Sequence, residues 1–345
     1  MINMIKLVRY EGNPILSPNP SNQWESKAVF NPAAILKDGQ ILLLYRAIGE
    51  YDAYISRLGL AVSQDGFNFE RQSQTPLIQP TASYDKWACE DPRITKMGDT
   101  YYITYVALAQ RVRHGDKSIH KFFSPQTALL TTKDFVHFKR HGIITPKDSD
   151  NRDVVIFPEK INGQFVVIHR PYRWCKNWFE NPLAKEIKVT LPVPYDSLPQ
   201  RPGVWIAYAD DLTKDWFDHK LIIRSIYKND EKTGAGPPPI KTDKGWLLIY
   251  HRVSREGEKE RIYTARVVLL DREDPSKVIA EIPYDILRPE TEYEIKGDVN
   301  KVVFPTGALV KDDTLFVYYG AADKQCAVAT IKLEEILKEL MLYKT

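Results

Sequence analysis

The stretch Asn31-Pro32-Ala33-Ala34-Ile35-Leu36-Lys37-Asp38-Gly39-Gln40-Ile41-Leu42-Leu43-Leu44-Tyr45-Arg46 decides the fold, because its pattern recurs along the chain. A proline-containing segment leads to an apolar residue, a polar turn at Asp38-Gly39 and a run of aliphatic and aromatic residues. Asp-Gly favours the tight turn of a β-hairpin. A recurring hairpin of this kind predicts a repeat architecture.

The pattern occurs five times in the 345 residues. The proline-containing segments are residues 31–35, 91–94, 157–161, 237–240 and 304–309. The turns after them are Asp38-Gly39, Gly98-Asp99, Asn162-Gly163, Lys244-Gly245 and Asp312-Asp313. The strands after these turns are 41–46, 101–106, 165–170, 246–252 and 315–320. A further strand follows each of them, at 58–62, 128–132, 205–209, 263–270 and 327–331.

Short antiparallel strands repeated five times predict an all-β chain, a five-bladed β-propeller that forms one domain over residues 1–345. A β-sandwich shares the alternating strands and the turn signals, and it is the alternative fold. Two segments depart from the repeat. The insertion at about 172–203 carries Trp174 and Trp178 and suits a lid or an oligomer contact, and a short C-terminal helix is expected at about 332–343.

Composition excludes several classes of function. The 48 basic and 45 acidic side chains are interspersed, so no nucleic-acid surface is indicated. No stretch approaches the roughly 20 apolar residues of a membrane helix, and no signal peptide is apparent, which favours a cytoplasmic location. Nucleotide loops, metal-binding spacings and a serine-esterase elbow are not found in the sequence. We therefore expect no cofactor and no metal.

Several segments resemble glycoside hydrolase family 130, the mannoside phosphorylases, at matching order and spacing. They are Phe30-Asn31-Pro32-Ala33, Tyr45-Arg46-Ala47, Glu90-Asp91-Pro92-Arg93, Arg152-Asp153, Phe157-Pro158-Glu159-Lys160, His169-Arg170-Pro171, Lys232 with Gly234-Ala235-Gly236-Pro237-Pro238, His251, and Tyr319-Gly320-Ala321-Ala322-Asp323. The resemblance implies a five-bladed propeller that cleaves β-mannosides with phosphate. The products would be α-mannose 1-phosphate and a shortened acceptor.

Asp91 is the candidate catalytic acid. Read from the sequence alone, a cap of the turn before Pro92 is the favoured interpretation. The resemblance implies the catalytic role, with the proton reaching the glycosidic oxygen through a hydroxyl of the bound mannose. Phosphate is already an anion at neutral pH, so such an enzyme needs one acid and a cationic site on the opposite face of the sugar.

The candidate phosphate-binding residues are Arg152, Arg170, Lys232 and His251, with Tyr263 as a hydrogen-bond donor. Guanidinium groups bind phosphate bidentately, and an ammonium adds a compact charge. Each of these side chains could instead be a surface ion-pair partner. Arg170 and His251, however, end apolar strands, where a surface charge would be out of place.

The candidate mannose-binding residues are Asn31, Arg46, Glu90 and Asp323. By resemblance they bind the sugar at the cleaved bond, and the alternative is hydrogen bonding between blades. The expected partners are a β-mannoside oligosaccharide and phosphate, with a homo-oligomer as a further expectation.

Two other functions remain open at this stage. An inverting β-mannosidase would use water with a carboxylate base, for which Glu159 is the candidate, and a non-catalytic propeller would only bind carbohydrate. The sequence leaves open a 1,2 or 1,4 linkage and the identity of the acceptor. Those preferences are expected in loops such as 111–124 and 172–203.

Overall fold

A computed structural model describes residues 4–110, 125–182, 184, 187–257 and 260–345. The regular secondary structure of the described chain is almost all β-strand, which confirms the predicted all-β class. Within these residues no helix is long and apolar enough to cross a membrane. The loop 111–124, where acceptor preferences were expected, lies outside the described residues.

The strands follow one another in short antiparallel meanders. In the first half of the chain they are β1 (Val8–Arg9), β2 (Ala28–Lys37), β3 (Gln40–Ile48), β4 (Ser56–Ser63), β5 (Glu70–Arg71), β6 (Ala88–Met97), β7 (Thr100–Leu108), β8 (Gln126–Thr132) and β9 (Phe138–Ile143). In the second half they are β10 (Asn151–Ile156), β11 (Phe165–Pro171), β12 (Val204–Ala209), β13 (Phe217–Ile223), β14 (Asp230–Ala235), β15 (Ile240–Lys241), β16 (Trp246–Glu256), β17 (Glu260–Leu270), β18 (Val278–Glu281), β19 (Val303–Lys311), β20 (Thr314–Ala321) and β21 (Gln325–Lys332).

Hydrogen bonding divides these strands into five antiparallel units. They are unit 1 (β2–β5), unit 2 (β6–β9), unit 3 (β10–β13), unit 4 (β14–β18) and unit 5 (β19–β21 with β1). Units 1 and 2 share one sheet through a single parallel bridge between Ser56 and Ala88. In unit 5, β1 pairs with β21, with Val8 opposite Thr330. The N-terminal segment is therefore joined to the C-terminal unit, which the sequence repeat did not indicate.

The predicted hairpin turns are confirmed by the backbone. Asp38 and Gly39 have φ values of 51° and 79°, and Asp312 and Asp313 have 48° and 58°. Two successive residues with positive φ are typical of the type I′ turn, whose twist matches that of the flanking strands. The strands after these turns lie where the sequence placed them.

A β-bulge interrupts the first strand of units 1, 2 and 3 at the same place. The register shifts between Phe30 and Ala33, between Glu90 and Arg93, and between Arg152 and Val155. The released residues Asn31, Asp91 and Asp153 have φ values of 49°, 49° and 55°. Asn and Asp tolerate this left-handed conformation better than other side chains. The bulge is therefore encoded by residue type, and it turns these side chains out of the ladder.

The proline-containing segments precede the predicted turns and strands, but they do not lie at equivalent places in all units. Pro158 follows β10, and Pro237 to Pro239 lie between β14 and β15, so these prolines mark interruptions of the first strand. In unit 3 the residue equivalent to Asn31 and Asp91 is Asp153, five residues before Pro158. Proline cannot donate to the ladder, so it concentrates wherever a strand is interrupted and marks the repeat poorly.

The second strand of each unit carries a buried tyrosine or histidine just before a residue that faces the other way. These pairs are Tyr45-Arg46, Tyr105-Val106, His169-Arg170, Tyr250-His251 and Tyr319-Gly320. Each tyrosine hydroxyl donates to a carboxylate, for example Tyr45 to Glu25 at 2.8 Å, Tyr105 to Asp85 at 2.8 Å and Tyr319 to Glu294 at 2.8 Å. Because side chains alternate along a strand, a fixed tyrosine also fixes the direction of the next residue.

Three α-helices lie in the described residues: α1 (Lys176–Glu180), α2 (Glu292–Ile295) and α3 (Leu333–Met341). The predicted C-terminal helix is confirmed as α3. Its residues Ile336, Leu337 and Leu340 are buried in a cluster with β17, β20 and β21 of the same chain. The apolar face of α3 is thus covered by the chain itself.

The insertion at 172–203 packs onto unit 3. Trp174 and Leu198 are buried against Trp205 of β12, and a second small cluster forms around Cys175 and Trp178. The insertion therefore has its own apolar contacts to the sheet.

Candidate active site

One cavity, of about 170 Å³, gathers all ten residues that the sequence singled out. They are Asn31, Arg46, Glu90, Asp91, Arg152, Arg170, Lys232, His251, Tyr263 and Asp323. The remaining lining residues are Asp153, Val299, Val302 and Phe304. Ligand pockets for drug-sized molecules occupy about 300–1,000 Å³. A longer saccharide would therefore have to extend out of the cavity.

The carboxylate of Asp91 is held from two sides. Asn31 Nδ2 donates to Asp91 Oδ1 at 2.7 Å, and Arg46 Nη1 reaches the same oxygen at 3.1 Å. Arg46 Nη2 also donates to Glu90 Oε1 at 2.5 Å, and the Ser56 hydroxyl donates to that oxygen at 3.0 Å. Units 1 and 2 are thus linked by bonds that orient Asp91. We call Asn31, Arg46, Glu90, Asp91 and Asp323 the acidic side of the cavity.

A single arginine faces three carboxylates on the acidic side, and the pKa values reflect this imbalance. Burial raises the pKa of Asp323 to about 7, the charges of Asp91 and Glu90 add to the shift, and Arg46 opposes it. Burial likewise raises the pKa of Glu90 against the attraction of Arg46. Closely spaced carboxylates in a desolvated site cannot all ionise together. Asp323 is therefore partly protonated near neutral pH.

Gly320 leaves room for Asn31. A Cβ at Gly320 would collide with Asn31 Oδ1. That oxygen is buried and has no hydrogen-bond partner in the described part of the chain. An unpaired buried acceptor is costly, so a ligand hydroxyl that donates to it would be favourable.

Asp153 is the centre of the opposite side. Arg170 Nε donates to Asp153 Oδ2 at 2.7 Å, and His251 Nε2 lies 3.7 Å from the same oxygen. Arg93 Nη2 lies 3.7 Å from the other oxygen, Oδ1. Gly234 makes this approach possible, because a Cβ there would collide with Asp153 and His251. We call Arg152, Asp153, Arg170, Lys232, His251 and Tyr263 the cationic side.

Burial shifts the pKa values on the cationic side as well, and like charges add to the shift at Lys232. Burial and the neighbouring Arg170 and Arg152 lower the pKa of Lys232 to about 7. Burial lowers the pKa of His251 to about 3, so its ring is neutral at pH 7. Burial also raises the pKa of Tyr263 to about 12, which keeps its hydroxyl a donor.

Lys232 is the least satisfied charge of this set. Its Nζ lies 5.8 Å from the centre of the Tyr263 ring, a cation–π distance, and it makes no ion pair within the described residues. Arg170, by contrast, is paired with Asp153, and Arg152 Nε donates to Asp150 at 3.2 Å. An anion placed between these cations would restore the charge of Lys232 and pair it.

A chain of hydrogen bonds holds His169, the residue that precedes Arg170 in β11. His219 Nε2 lies 3.1 Å from the carbonyl oxygen of Trp216, which can only accept. His219 Nδ1 must therefore accept from His169 Nε2 at 3.1 Å, and His169 Nδ1 accepts from Asn151 Nδ2 at 2.8 Å. Burial lowers the pKa of both histidines, so each stays neutral in the tautomer this chain requires.

Sequence reasoning missed Asp153 and Arg93. Both lie in segments that resemble the family, but in those segments roles were predicted for the neighbouring residues Arg152 and Asp91 instead. Asp153 matches Asn31 and Asp91 in its bulge position, and this common position was the available signal. Arg93 lies under the cavity floor, where its Nε donates to the carbonyl oxygen of Gly236 at 2.6 Å.

Glu159, the candidate base for a hydrolase, does not belong to the site. It does not line the cavity, and both its oxygens accept from Lys241 Nζ, at 2.6 and 2.7 Å, in an exposed ion pair. The expectation that Glu159 could act as the base was wrong, because it follows the end of β10 in an interruption of the strand. Among the described residues, no group of three or more metal-binding side chains is placed to hold an ion.

Comparison with known proteins shows relatives along the whole chain. The sequence profile of a family described as beta-1,4-mannooligosaccharide phosphorylase matches residues 6–342. A protein of Thermoanaerobacter sp. (strain X514) named 1,2-beta-oligomannan phosphorylase is 40% identical over 340 residues, which cover 96% of this chain and 99% of the relative. A second protein of that organism, named beta-1,2-mannobiose phosphorylase, is 36% identical over 345 residues, with the same two coverages.

The fold has solved counterparts too. The beta-1,2-mannobiose phosphorylase of Listeria innocua, in complex with beta-1,2-mannobiose, matches with a TM-score of 0.75 at 28% identity. The match covers 98% of this chain and 100% of that one. The chain therefore belongs to glycoside hydrolase family 130.

Proposed function

We propose that this chain cleaves β-mannosides with inorganic phosphate and inverts the configuration at the anomeric carbon. The observation that carries the proposal is the division of one cavity into an acidic side around Asp91 and a cationic side whose Lys232 has no ion pair among the described residues. Relatives of 40% and 36% identity that are named phosphorylases support it.

In this mechanism, Arg152, Arg170 and Lys232 bind phosphate, and His251 and Tyr263 complete the site. Asn31, Arg46, Glu90 and Asp323 hold the mannose ring against it. A phosphate oxygen forms a bond to the anomeric carbon while the bond to the glycosidic oxygen breaks. The proton of Asp91 passes through a mannose hydroxyl to that oxygen. The products are α-mannose 1-phosphate and the shortened acceptor.

Hydrolysis by water is the weaker alternative. An inverting hydrolase needs a carboxylate base on the side opposite the acid. Asp153 is the carboxylate there, but it is paired with Arg170 and lies close to His251 and Arg93. Burial alone would raise the pKa of Asp153, yet the charges of Arg170 and Arg93 and the nearby His251 ring hold it well below the usual range. Asp153 is therefore a poor proton acceptor, and it orients cations instead.

The five units are proposed to close into a five-bladed propeller around the cavity. First strands of neighbouring units contact each other, β2 with β6, β6 with β10, β10 with β14 and β19 with β2. Side chains cross these contacts: the Thr95 hydroxyl donates to the carbonyl oxygen of Ile156, and the Thr306 hydroxyl donates to that of Pro32. Such radial repetition would leave only short, protected strand edges.

The bond cleaved is proposed to be β-1,2. The two curated relatives and the solved structure described above carry β-1,2 in their names, whereas the family description carries β-1,4. Linkage therefore varies within the family, and the relatives of higher identity favour β-1,2.

The test is phosphorolysis of β-1,2-mannobiose, longer β-1,2-oligomannosides and β-1,4-mannobiose, each with and without phosphate. Release of α-mannose 1-phosphate from the β-1,2 substrates, only when phosphate is present, is expected. Equal release of free mannose in phosphate-free buffer would contradict phosphorolysis. A preference for β-1,4-mannobiose would contradict the linkage alone.

A further inference from the structure

A second cavity, of about 360 Å³, lies against the cationic side. Its walls come from the 172–203 insertion (Tyr172, Arg201), from residues 228–232 at the start of β14, and from the β16–β17 hairpin (Arg255, Arg261). We call it the outer pocket. Lys232 lines both the outer pocket and the active-site cavity, so its side chain lies where the two meet.

The outer pocket is basic. Its lining has five basic side chains, Arg201, Lys228, Lys232, Arg255 and Arg261, against the carboxylates of Asp230 and Glu231. Both carboxylates are already engaged. Asp230 pairs with Arg252 at 2.5 Å, while Glu231 pairs with Arg255 and, at 2.6 Å, with Arg261. A positive field therefore extends from the protein surface at Lys228, which is exposed, to Lys232, which is half-buried.

A mannoside does not need this positive charge for binding. Oligomannosides are neutral, and the anions of the proposed reaction are phosphate and mannose 1-phosphate. Inversion requires phosphate to attack from the face opposite the departing acceptor. Asp91, which serves the departing oxygen, comes from unit 2, whereas the outer pocket is built by units 3 and 4. The outer pocket thus lies behind the position of phosphate, away from the acceptor.

We propose that the outer pocket is a phosphate route, through which inorganic phosphate reaches Lys232 without passing the site of the saccharide. This inference rests on the proposed function, because it assigns the anion of that reaction. Lys228 and Arg201 attract phosphate at the outer end. Lys232 transfers it to Arg152 and Arg170. Phosphate can then bind while the saccharide already fills its own part of the cavity.

The experiment reverses one charge at the outer end. Lys228→Glu is compared with Lys220→Glu, which makes the same change of net charge on the exposed face of β13, outside both cavities. The milder Lys228→Gln is made as well, so that a folding defect of the charge reversal cannot decide the result. For each variant, kcat/KM for phosphate and KM for β-1,2-mannobiose are measured at low and at high ionic strength.

Lys228→Glu is expected to lower kcat/KM for phosphate about 3- to 10-fold at low salt, and less at high salt, because steering by exposed charges is screened. Lys228→Gln should show a smaller loss. KM for mannobiose should not change, and Lys220→Glu should behave as the unmodified protein. An altered KM for mannobiose with unchanged phosphate kinetics would assign the pocket to the acceptor and overturn the route. Equal effects of the Lys228 and Lys220 variants would overturn it too.

Calorimetric binding of inorganic phosphate separates this inference from the proposed function. If no mannoside were phosphorolysed, but phosphate bound the protein more weakly in Lys228→Glu than in Lys220→Glu, only the proposed function would fail. If phosphorolysis proceeded normally in all variants and phosphate binding were unchanged, only the route would fail.

Discussion

The two sides of the active-site cavity carry an excess of opposite charge. On the acidic side, three carboxylates surround Arg46, and the pKa of Asp323 rises to about 7. On the cationic side, several cations surround Asp153, and the pKa of Lys232 falls to about 7. Each side thus contains one residue of the minority charge, held by direct contacts with its neighbours.

The difference between the sides lies in what is left unpaired. On the acidic side, the raised pKa of Asp323 lowers the excess negative charge around Asp91 and Arg46 near neutral pH. The cationic side relieves part of its excess by releasing a proton from Lys232, and an incoming anion would reverse that release. In the proposed mechanism, Asp91 on the acidic side donates a proton, and Lys232 on the cationic side binds an anion.

Removing the acid should have the largest effect. In Asp91→Asn, the amide keeps the shape but has no proton to transfer, so kcat/KM should fall about 10²- to 10⁴-fold. Mannobiose binding, measured by calorimetry, should remain within a few-fold. Asp312→Asn, the same exchange at an exposed hairpin turn, is the control and should keep full activity. Wild-type turnover in Asp91→Asn would remove Asp91 from the mechanism.

Removing the negative charge of Asp153 from the cationic side should destabilise the protein. Asp153→Asn leaves Arg170 buried without its carboxylate, and loss of one partner of a buried pair costs about 3–5 kcal/mol. The free energy of unfolding in urea measures this. Glu159→Gln breaks an exposed pair with Lys241 and should cost no more than about 1 kcal/mol. Similar costs for the two variants would show that Asp153 does not hold the cations in place.

The pH dependence of anion binding tests Lys232. Sulfate keeps its charge between pH 6 and 9, so its inhibition constant reports the protein alone. Because the pKa of Lys232 is lowered to about 7, the ammonium form is lost above that pH. Sulfate affinity should be constant below pH 7 and fall about tenfold per pH unit above it. In Lys232→Met, sulfate affinity should be low and should not change with pH. A slope that persists in this variant would assign it to Asp323 instead.

The smallest expected effect concerns the support behind Arg170. His169→Gln breaks the chain from Asn151 to His219, and a lost buried hydrogen bond costs about 1 kcal/mol. KM for phosphate should rise several-fold, and KM for mannobiose should stay the same. Tyr45→Phe removes the equivalent bond to Glu25 beside Arg46 on the acidic side. It should change KM for mannobiose instead, and the reverse pattern would refute the positioning role.

Much of this arrangement could be predicted from the sequence. Turn residues such as Asp38-Gly39 located the hairpins, and the strands after them have the expected positions. All ten predicted site residues line one cavity. The roles assigned to them stay predictions until the variants are measured.

What could not be predicted depended on contacts between units. Asp153 was hidden because its importance comes from Arg93 and His251, which lie far away in the sequence and close in space. Glu159 was a candidate because a hydrolase needs a carboxylate base, and its exposed ion pair with Lys241 is a contact that the sequence does not report. The pairing of β1 with β21 joins the two ends of the chain, and no local pattern reports such a contact.

The bulge shared by units 1, 2 and 3 has a consequence for how such a protein can change. At each bulge one residue, Asn31, Asp91 or Asp153, contributes nothing to strand pairing and points its side chain into the cavity. A substitution among Asn, Asp and Gly at these positions preserves the left-handed backbone and leaves the surrounding ladders intact. Evolution or a designer could therefore exchange the chemistry of the cavity one repeat at a time, without having to find a new fold.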